Sequence, residues 1–332
     1  MASTRSMVLL LTHSGDYFTV DRVAEALEER GARPYRLNTD LFPSRVRLAA
    51  RLGDGGPRHV AVAEDNTSFD PSDVSAVWAR RVWPPELPEG LDPALRDGCA
   101  RESTAALHGF FDALAHARWV NPWSADRDAE NKARQLRVAS ALGLRVPRTL
   151  ITNDAERARA FYDEVGGRMV AKMLTPLSIS MGKAPLFVRT SRVEAEDLEH
   201  AEQLRHSPMV FQEHVEKRCE LRVACVGGRL FAGAIDASGS AAGKVDWRAA
   251  DVAEARWERA SVPADVGRRL AALCDELGLV YGAVDLIQRP DGEHVFLEIN
   301  PGGEWGMLER DLDLPISAGL ADALLDRDST LP

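Results

Sequence analysis

The chain opens with apolar runs separated by amphipathic stretches. The apolar run 7–12 predicts a buried strand, and apolar positions at helical spacing predict a helix that ends at Gly31, before a second strand. A further apolar run, 73–83, predicts another strand, and the helix after it is expected to run as far as Asn121, where a proline follows. This order predicts an α/β domain over residues 1–121.

Strands and helices continue to the end of the chain. Helices are predicted at 125–142, 154–165, 191–206, 263–277 and 315–325. Strands are predicted at 148–152, 168–174, 186–190, 209–215, 280–288 and 294–300, and a hairpin is predicted around Gly227-Gly228. The polar segment 237–258, rich in glycine and alanine, predicts a loop. Taken together, the pattern predicts an α/β fold.

The last two predicted strands carry the most informative polar residues. Asp291-Gly292 joins them and favours a two-residue type I′ turn. The antiparallel register that this turn sets places Asp285 opposite Glu298, with Asn300 diagonally across on the same face. The other face is expected to pack on the core and carries Val284, Leu286, Leu297 and Ile299, with Leu286 opposite Leu297 and Gln288 opposite Val295.

Two carboxylates that face each other repel, so they need a positive counter-charge. A divalent cation with oxygen ligands would supply it, which makes Asp285, Glu298 and Asn300 candidate metal ligands. Mg²⁺ commonly completes its shell with phosphate oxygens, so a phosphate-bearing cofactor is implied. The Pro-Gly-Gly sequence directly after Asn300 would let a ligand approach closely. The alternative is a solvent-facing strip in which one carboxylate points outward.

Several cations could meet the phosphates. Lys172 is flanked by apolar residues, and an unpaired buried ammonium is costly, so its ammonium is expected either to reach solvent or to meet an anion. Lys132 flanks the apolar stripe of its helix, where it could lean over the protein or stay solvated. Arg222 could neutralise a terminal phosphate with its planar guanidinium, or pair with Glu220 on the same strand face. Arg248 lies in the predicted loop and has no fixed register.

Two further segments could contact a ligand. The segment 211–217 joins two strand-like runs, and its backbone could hydrogen-bond an adenine through Glu213 and Val215, with Glu220 on the ribose; a plain linker is the alternative. The segment 13–16, HSGD, follows the first strand, where backbone amides could bind an anion. A GxGxxG spacing is absent there, so a plain connecting loop is the alternative.

Composition narrows the function classes. The 332 residues carry a formal net charge of −10, which argues against a general nucleic-acid-binding surface. The four cysteines are scattered without a CxxC pair, which argues against a zinc or thiol-dependent site. No apolar stretch approaches the ~20 residues that cross a bilayer, and the first apolar run is too short for a secretory signal. We therefore expect a cytoplasmic protein without membrane or nucleic-acid partners.

These motifs together resemble the ATP-grasp ligases over residues 121–325. The residues and segments that carry the resemblance are Lys132, Lys172, QEHV (212–215), ELRV (220–223), Asp285 and LEIN (297–300). The opening segment 8–43, VWARR (77–81) and KVDWR (244–248) narrow it to the ATP-grasp ribosomal peptide maturases that make graspetides, the microviridin-type cross-linked peptides. In the VWARR segment, Arg80 and Arg81 admit either a structural or a substrate-contacting role.

The resemblance implies both an architecture and a set of site residues. It implies an N-terminal α/β pre-ATP-grasp domain (1–121), followed by a central ATP-grasp lobe (122–208) and a C-terminal ATP-grasp lobe with the metal site (209–332). It places Mg-ATP between the lobes, with Lys132 and Lys172 on the phosphates. The implied adenine and ribose contacts are Gln212, Glu213, Val215 and Glu220, and the implied metal ligands are Asp285, Glu298 and Asn300. The implied catalytic residues are Arg222, Arg248 and Lys172.

The resemblance also implies an activity. Such a ligase activates Asp or Glu side chains of a precursor peptide, made of a leader and a core, as acyl-phosphates. It then joins them to Ser, Thr or Lys side chains in ω-ester or ω-amide macrocycles. Related maturases are often homodimers, so a homodimer is expected. Two alternatives stay open: an ATP-grasp ligase that acts on free amino acids or small carboxylic acids, and a nucleotide-binding protein without catalysis.

Overall fold

The structure of the protein is a computed structural model that describes residues 7–53, 58–62, 65–174, 190–235 and 256–326. Arg248, and nearly all of the predicted strand 186–190 and loop 237–258, lie outside these ranges. Within them, no helix is long and apolar enough to cross a bilayer.

A parallel sheet forms the centre of the N-terminal part. The elements are β1 (Met7–Thr12), α1 (Thr19–Glu29), β2 (Arg33–Asn38), β3 (Arg47–Arg51), β4 (Arg58–Val62), β5 (Ser68–Phe69), β6 (Val74–Ala79), α2 (Pro93–Ala113) and β7 (Arg118–Val120). The parallel strands have the order β2-β1-β6-β7, and β3 to β5 form a separate antiparallel sheet that was not predicted. The predicted first strand is confirmed residue for residue. The helix predicted up to Asn121 is wrong in extent, because β7 follows α2.

The central part contains a four-stranded antiparallel sheet. Its elements are α3 (Trp123–Ala129), α4 (Lys132–Ala141), β8 (Thr149–Thr152), α5 (Ala155–Glu164), β9 (Met169–Lys172), β10 (Ser191–Val193) and β11 (Met209–Glu213), and the strand order is β10-β9-β11-β8. The single helix predicted over 125–142 is two helices, because the Asn131 side chain accepts a hydrogen bond from Arg134 N and starts α4 there. The helix predicted over 191–206 is wrong: β10 is followed by 3₁₀ turns over Ala195–His206.

The C-terminal part is built on a five-stranded antiparallel sheet. Its elements are β12 (Cys219–Val226), β13 (Arg229–Ile235), β14 (Trp257–Ala260), α6 (Ala264–Leu277), β15 (Tyr281–Gln288), β16 (His294–Asn300), α7 (Gly306–Leu312) and α8 (Ile316–Leu324). The strand order is β14-β13-β12-β15-β16. The two-residue turn at Gly227-Gly228 is confirmed, since Val226 pairs with Arg229. The elements β14 and α7 were not predicted.

The β15–β16 hairpin has a different turn from the one predicted. Arg289 N–H donates to the Glu293 carbonyl at 2.8 Å, and Gly292 N–H donates to the Arg289 carbonyl at 2.9 Å. The loop therefore contains three residues rather than two, and Gly292 has a φ of 90°, which glycine adopts without strain. The pairs predicted next to the turn are wrong by one residue, because Gln288 faces His294.

A bulge in β16 then restores the predicted register. Leu286 faces Phe296, whereas the neighbouring Asp285 faces Glu298, so Leu297 is an extra residue on β16. The predicted pairing of the two carboxylates is confirmed. The predicted core position of Leu297 is wrong, because the fully buried Phe296 takes it.

One hydrophobic core joins the first sheet to the last. Leu10 and Trp78 from the parallel sheet pack in the same cluster as Ala224, Tyr281 and Leu320 from the C-terminal part. A second core covers the opposite face of the C-terminal sheet, against α4 and α6. The loop that follows β16 thereby comes to lie against the carboxyl end of β6.

Candidate active site

Charged side chains form a row across the C-terminal sheet. Arg222 on β12 lies directly opposite Asp285 on β15, and Asp285 lies directly opposite Glu298 on β16. Directly opposite residues of antiparallel strands project from the same face, so the three side chains are neighbours. On that face, Glu220 precedes Arg222 by two residues and Asn300 follows Glu298 by two, so these two residues lie on opposite sides of the row. The pairing of β12 with β15 thus adds Arg222 to the two carboxylates that the sequence predicted to face each other on β15 and β16.

Each carboxylate of the row has a cation partner from the chain itself. Arg222 Nη1 donates to Asp285 Oδ1 at 2.8 Å, and Lys132 Nζ donates to Glu298 Oε2 at 2.5 Å. Both members of the first pair are buried, with Asp285 8% and Arg222 5% exposed. The repulsion between the facing carboxylates is thus offset within the protein. This repulsion alone therefore does not require a metal ion, contrary to the expectation from the sequence.

Lys172 ends β9 and lies within electrostatic reach of the row. Burial lowers the pKa of its ammonium, the carboxylate of Glu298 raises it, and the charge of Lys132 lowers it further. Asp285 and Glu220 add smaller upward effects, and burial prevails. An additional anion at this place would stabilise the charged ammonium.

The predicted adenine segment leaves β11 with its side chains engaged. Gln212 is 3% exposed, and its Nε2 donates to Thr149 Oγ1 at 3.0 Å. Burial raises the pKa of Glu213, but its hydrogen bonds from Arg148, including Nε to Oε2 at 2.7 Å, lower it overall. Because the Glu213 side chain is already paired with Arg148, a nucleotide would contact Glu213 through its main chain. The backbone N–H of Val215 has no acceptor in the described part of the chain.

Glu220 and Lys217 form a third ion pair beside the row. Lys217 Nζ donates to Glu220 Oε1 at 2.5 Å, and both side chains are largely buried. Lys217 was missed in the sequence, where only the i, i+3 spacing to Glu220 would have indicated it.

Arg80 ties the N-terminal sheet to the loop after β16. It is 2% exposed, and it donates from Nη1 to the Gly302 carbonyl and from Nη2 to Glu304 Oε2, both at 2.6 Å. Arg81 Nη2 lies 3.4 Å from the same carboxylate oxygen. Burial raises the pKa of Glu304, yet the two arginines and backbone N–H groups lower it overall. Of the two roles that the sequence left open for Arg80, the structure shows the structural one. Its partner Glu304 was not among the residues predicted from the sequence.

The two glycines of this loop allow the chain to pack on itself. A Cβ at Gly303 would lie 2.4 Å from the Ala283 Cβ, and a Cβ at Gly302 would lie 3.0 Å from the Arg80 carbonyl oxygen. These glycines are therefore explained by contacts inside the protein. The expectation that they admit a ligand is not needed to account for them.

The donor chemistry of the row fits a magnesium nucleotide. The carboxylates of Asp285 and Glu298 and the amide of Asn300 offer the oxygen ligands that a hard divalent cation takes. In the ranges that the structure describes, no three His, Cys, Asp or Glu side chains form a metal-binding group. The two carboxylates would therefore share the ion with Asn300, water and phosphate oxygens, as Mg²⁺ sites commonly do.

Comparison with known proteins identifies the family. A family model for the MvdD pre-ATP grasp domain matches residues 7–127, and one for the RimK-like ATP-grasp domain matches residues 129–324. Among solved structures, the macrocyclase MdnB from Microcystis aeruginosa MRC is 47% identical, with a TM-score of 0.83 over 96% of this chain and 99% of that chain. The chain belongs to the ATP-grasp peptide macrocyclases. The predicted α/β fold class, with a pre-ATP-grasp and an ATP-grasp part, is confirmed.

Two further structures of ATP-grasp macrocyclases and ligases are similar to this chain. The macrocyclase MdnC from the same organism, bound with the precursor peptide MdnA, is 33% identical, with a TM-score of 0.86 over 96% of this chain and 99% of that chain. A RiPP-associated ATP-grasp ligase from Chryseobacterium gregarium, in complex with ADP and a leader and core peptide, is 31% identical, with a TM-score of 0.88 over 98% of each chain. A search of curated proteins found no match.

Proposed function

We propose that the protein is an ATP-dependent ligase that closes macrocycles between side chains of a ribosomal precursor peptide. The row formed by Arg222, Asp285 and Glu298, with Lys132 and Lys172 beside it, carries this proposal. It brings ligands for a divalent cation and cations for phosphate together on one sheet face. The relatives support the substrate class, since the MdnC structure holds a precursor peptide and the Chryseobacterium ligase holds ADP with a leader and core peptide.

Each site residue has a role in this proposal. Bound Mg²⁺, held by Asp285, Glu298 and Asn300, supplies charge neutralisation for the phosphates. Lys132 and Lys172 bind the phosphates, and Arg222, Arg248 and Lys172 stabilise the charge of the transferred phosphoryl group. The segment with Gln212, Glu213 and Val215 contacts the adenine, and Glu220 contacts the ribose.

Nucleotide binding would exchange the ion pairs of the row. Lys132 and Arg222 now neutralise Glu298 and Asp285, and the same two cations are the ones proposed to meet phosphate. Asp285 and Glu298 would hold the metal ion while Arg222 and Lys132 would meet the phosphates, so each of these charges would keep an opposite partner. Binding of the metal ion and of the nucleotide would therefore be coupled.

The chemistry needs no protein nucleophile, because phosphoryl transfer depends on positioning and charge neutralisation. An Asp or Glu carboxylate oxygen of the peptide forms a bond to the γ-phosphorus of ATP, and ADP leaves. A Ser or Thr hydroxyl, or a Lys amine, then attacks the acyl carbon, phosphate leaves, and the nucleophile loses its proton. Each ring thus uses one ATP and removes one water from the peptide.

Mass spectrometry with ADP measurement tests this function. The protein is incubated with Mg-ATP and the precursor peptide encoded beside its own gene. We expect one water lost per ring and one ADP released per water, and no ADP release when free amino acids replace the peptide. ADP release with amino acids alone would instead support a small-molecule ligase. An unchanged mass of the cognate precursor would refute the macrocyclase function.

We also propose that the enzyme acts as a homodimer in the cytoplasm. The support is the resemblance to maturases that are often homodimers, together with the expectation from the sequence.

A further inference from the structure

The strand order of the parallel N-terminal sheet reverses between β1 and β6, and the place outside the carboxyl ends of these two strands is called the crevice below. From β1 the chain passes to β2 on one side, and β6 and β7 lie on the other side, so the direction changes between β1 and β6. In open parallel sheets, ligands bind outside the carboxyl ends of the strands at such a point. Here these ends lead into the β1 loop, residues 13–18, and into Arg80 and Arg81.

The β1 loop is held in place by polar side chains from β2 and the segment after it. Asp40 accepts hydrogen bonds from Ser14 N at 2.9 Å and from Ser14 Oγ at 2.5 Å. Arg36 Nη2 donates to the carbonyls of His13 at 2.8 Å and Asp16 at 2.5 Å. These hydrogen bonds hold the loop in one conformation, as expected for a binding site. A loop that only connects two elements does not need them.

His13 is the residue of this loop that the fold does not explain. It is 5% exposed, and its ring is stacked on Trp83 with 3.8 Å between centroids and an interplanar angle of 7°. Neither of its ring nitrogens has a hydrogen-bond partner among the residues that the structure describes. A buried polar atom without a partner is costly, so these nitrogens indicate a ligand that supplies one.

Burial of His13 favours its neutral ring. Burial lowers the pKa of the imidazole, Asp16 raises it, and Arg81 lowers it, while Asp40 and Arg80 add smaller opposing effects. The net pKa lies below the usual value for histidine. A neutral imidazole has one nitrogen that can accept a hydrogen bond or a proton.

Two aromatic side chains extend from the same loop. Tyr17 is 76% exposed, and Phe18 is 36% exposed. Phe18 has a φ of 60°, which bulky residues rarely adopt and which concentrates at functional sites. A Cβ at Gly306 would lie 3.0 Å from Phe18 Cδ1 and 2.9 Å from Glu304 Oε1, so Phe18 reaches the loop that Arg80 holds.

The crevice is adjacent to the proposed metal site. Arg80 binds the carbonyl of Gly302, which is two residues after Asn300. Arg81, whose side chain is 37% exposed, borders the same junction. A peptide side chain in the crevice would therefore lie next to the place proposed for carboxylate activation.

We propose that this crevice binds the nucleophilic Ser or Thr side chain of the peptide, with His13 as the partner of its hydroxyl and Tyr17 and Phe18 against the flanking peptide. This inference rests on the proposed function. The hydroxyl oxygen forms the bond to the acyl carbon, the bond from that carbon to the phosphate oxygen breaks, and the hydroxyl proton passes to the free ring nitrogen of His13. Because both nitrogens are covered in this structure, the hydroxyl reaches the ring only when neighbouring groups shift.

Hydroxylamine separates the two half-reactions and tests His13. It captures the activated carboxylate as a peptide hydroxamate, whereas ring closure is read as loss of water. We expect His13→Asn to slow ring closure about 100-fold or more, while hydroxamate formation stays within about 3-fold of the wild-type rate. His200→Asn, at an exposed histidine of the central part, serves as the matched control and should change neither rate.

Other outcomes would overturn the inference. Ring closure at the wild-type rate in His13→Asn, or an equal loss of both half-reactions in a folded protein, would exclude His13 as the partner of the hydroxyl. If His13→Asn does not fold, Tyr17→Ser at the exposed position decides: we expect a higher KM for the peptide in ring closure, and an unchanged KM refutes the crevice. A wild-type protein that forms no ring at all would refute the proposed function instead.

Discussion

Glu298→Gln is expected to reduce ring formation and peptide-dependent ADP release roughly 100-fold or more while the fold is retained. The substitution keeps the shape of the side chain but removes one of the two carboxylate charges that face each other between β15 and β16. It also removes the charged acceptor of Lys132 Nζ, now 2.5 Å from Glu298 Oε2. Initial rates of ADP release and peptide mass, with circular dichroism of the same sample, measure the effect.

Glu293→Gln provides the matched control for this prediction. Glu293 lies on the same hairpin, is exposed, and is 3.7 Å from Arg289, so its loss should leave the rates unchanged. Electron paramagnetic resonance of Mn²⁺ in the presence of ADP adds a readout that is independent of turnover, and we expect weaker Mn²⁺ binding only for Glu298→Gln. Wild-type rates and Mn²⁺ affinity in that variant would remove Glu298 from the metal site.

Arg80→Met is expected to lower the free energy of unfolding by about 1.5 to 3 kcal/mol, because a buried donor to a charged group is lost. The methionine fills much of the same volume but removes the guanidinium that lies 2.6 Å from both the Glu304 carboxylate and the Gly302 carbonyl, and only Arg81, 3.4 Å from the carboxylate, remains beside them. Because these contacts join β6 to the loop after β16, the loss should also loosen the junction next to Asn300. Urea-induced unfolding measures the change.

Two further variants sharpen that measurement. Arg192→Met removes an exposed arginine that pairs with Glu194 at 3.3 Å, and exposed pairs contribute about 1 kcal/mol or less. In a double-mutant cycle, Arg80→Met combined with Glu304→Gln should cost less than the sum of the single changes, since the two side chains interact directly. Equal stability of Arg80→Met and Arg192→Met would show that the buried contacts contribute nothing.

Hydrophobic periodicity was sufficient for most strands and helices, but the local turn chemistry was misinterpreted. Asp291-Gly292 indicates a two-residue turn when it is considered alone. Proline, however, favours the second position of a type I turn, so Pro290 indicates a three-residue loop that ends at Gly292. That signal was available in the sequence. The bulge at Leu297 was not, because it depends on Phe296 fitting the core. The longer loop shifts the register by one residue and the bulge shifts it back, so Asp285 still faces Glu298.

The partners of the site residues were harder to predict, because they come from distant parts of the chain. Lys132 and Glu298 are separated by 166 residues, and Arg80 and Glu304 by 224. Periodicity assigns a face to each residue but not the neighbour that the tertiary fold brings to it. Arg222 illustrates this limit, since its pairing with Asp285 follows only once β12 is known to lie beside β15.

Oxygen-18 in the side-chain carboxylates of the precursor peptide tests the central claim most directly. If the enzyme activates these carboxylates with ATP, the released inorganic phosphate carries one labelled oxygen for each ring, detectable by phosphorus NMR or mass spectrometry. Rings that form while the phosphate stays unlabelled would contradict carboxylate activation by phosphoryl transfer, and with it the function proposed for this site.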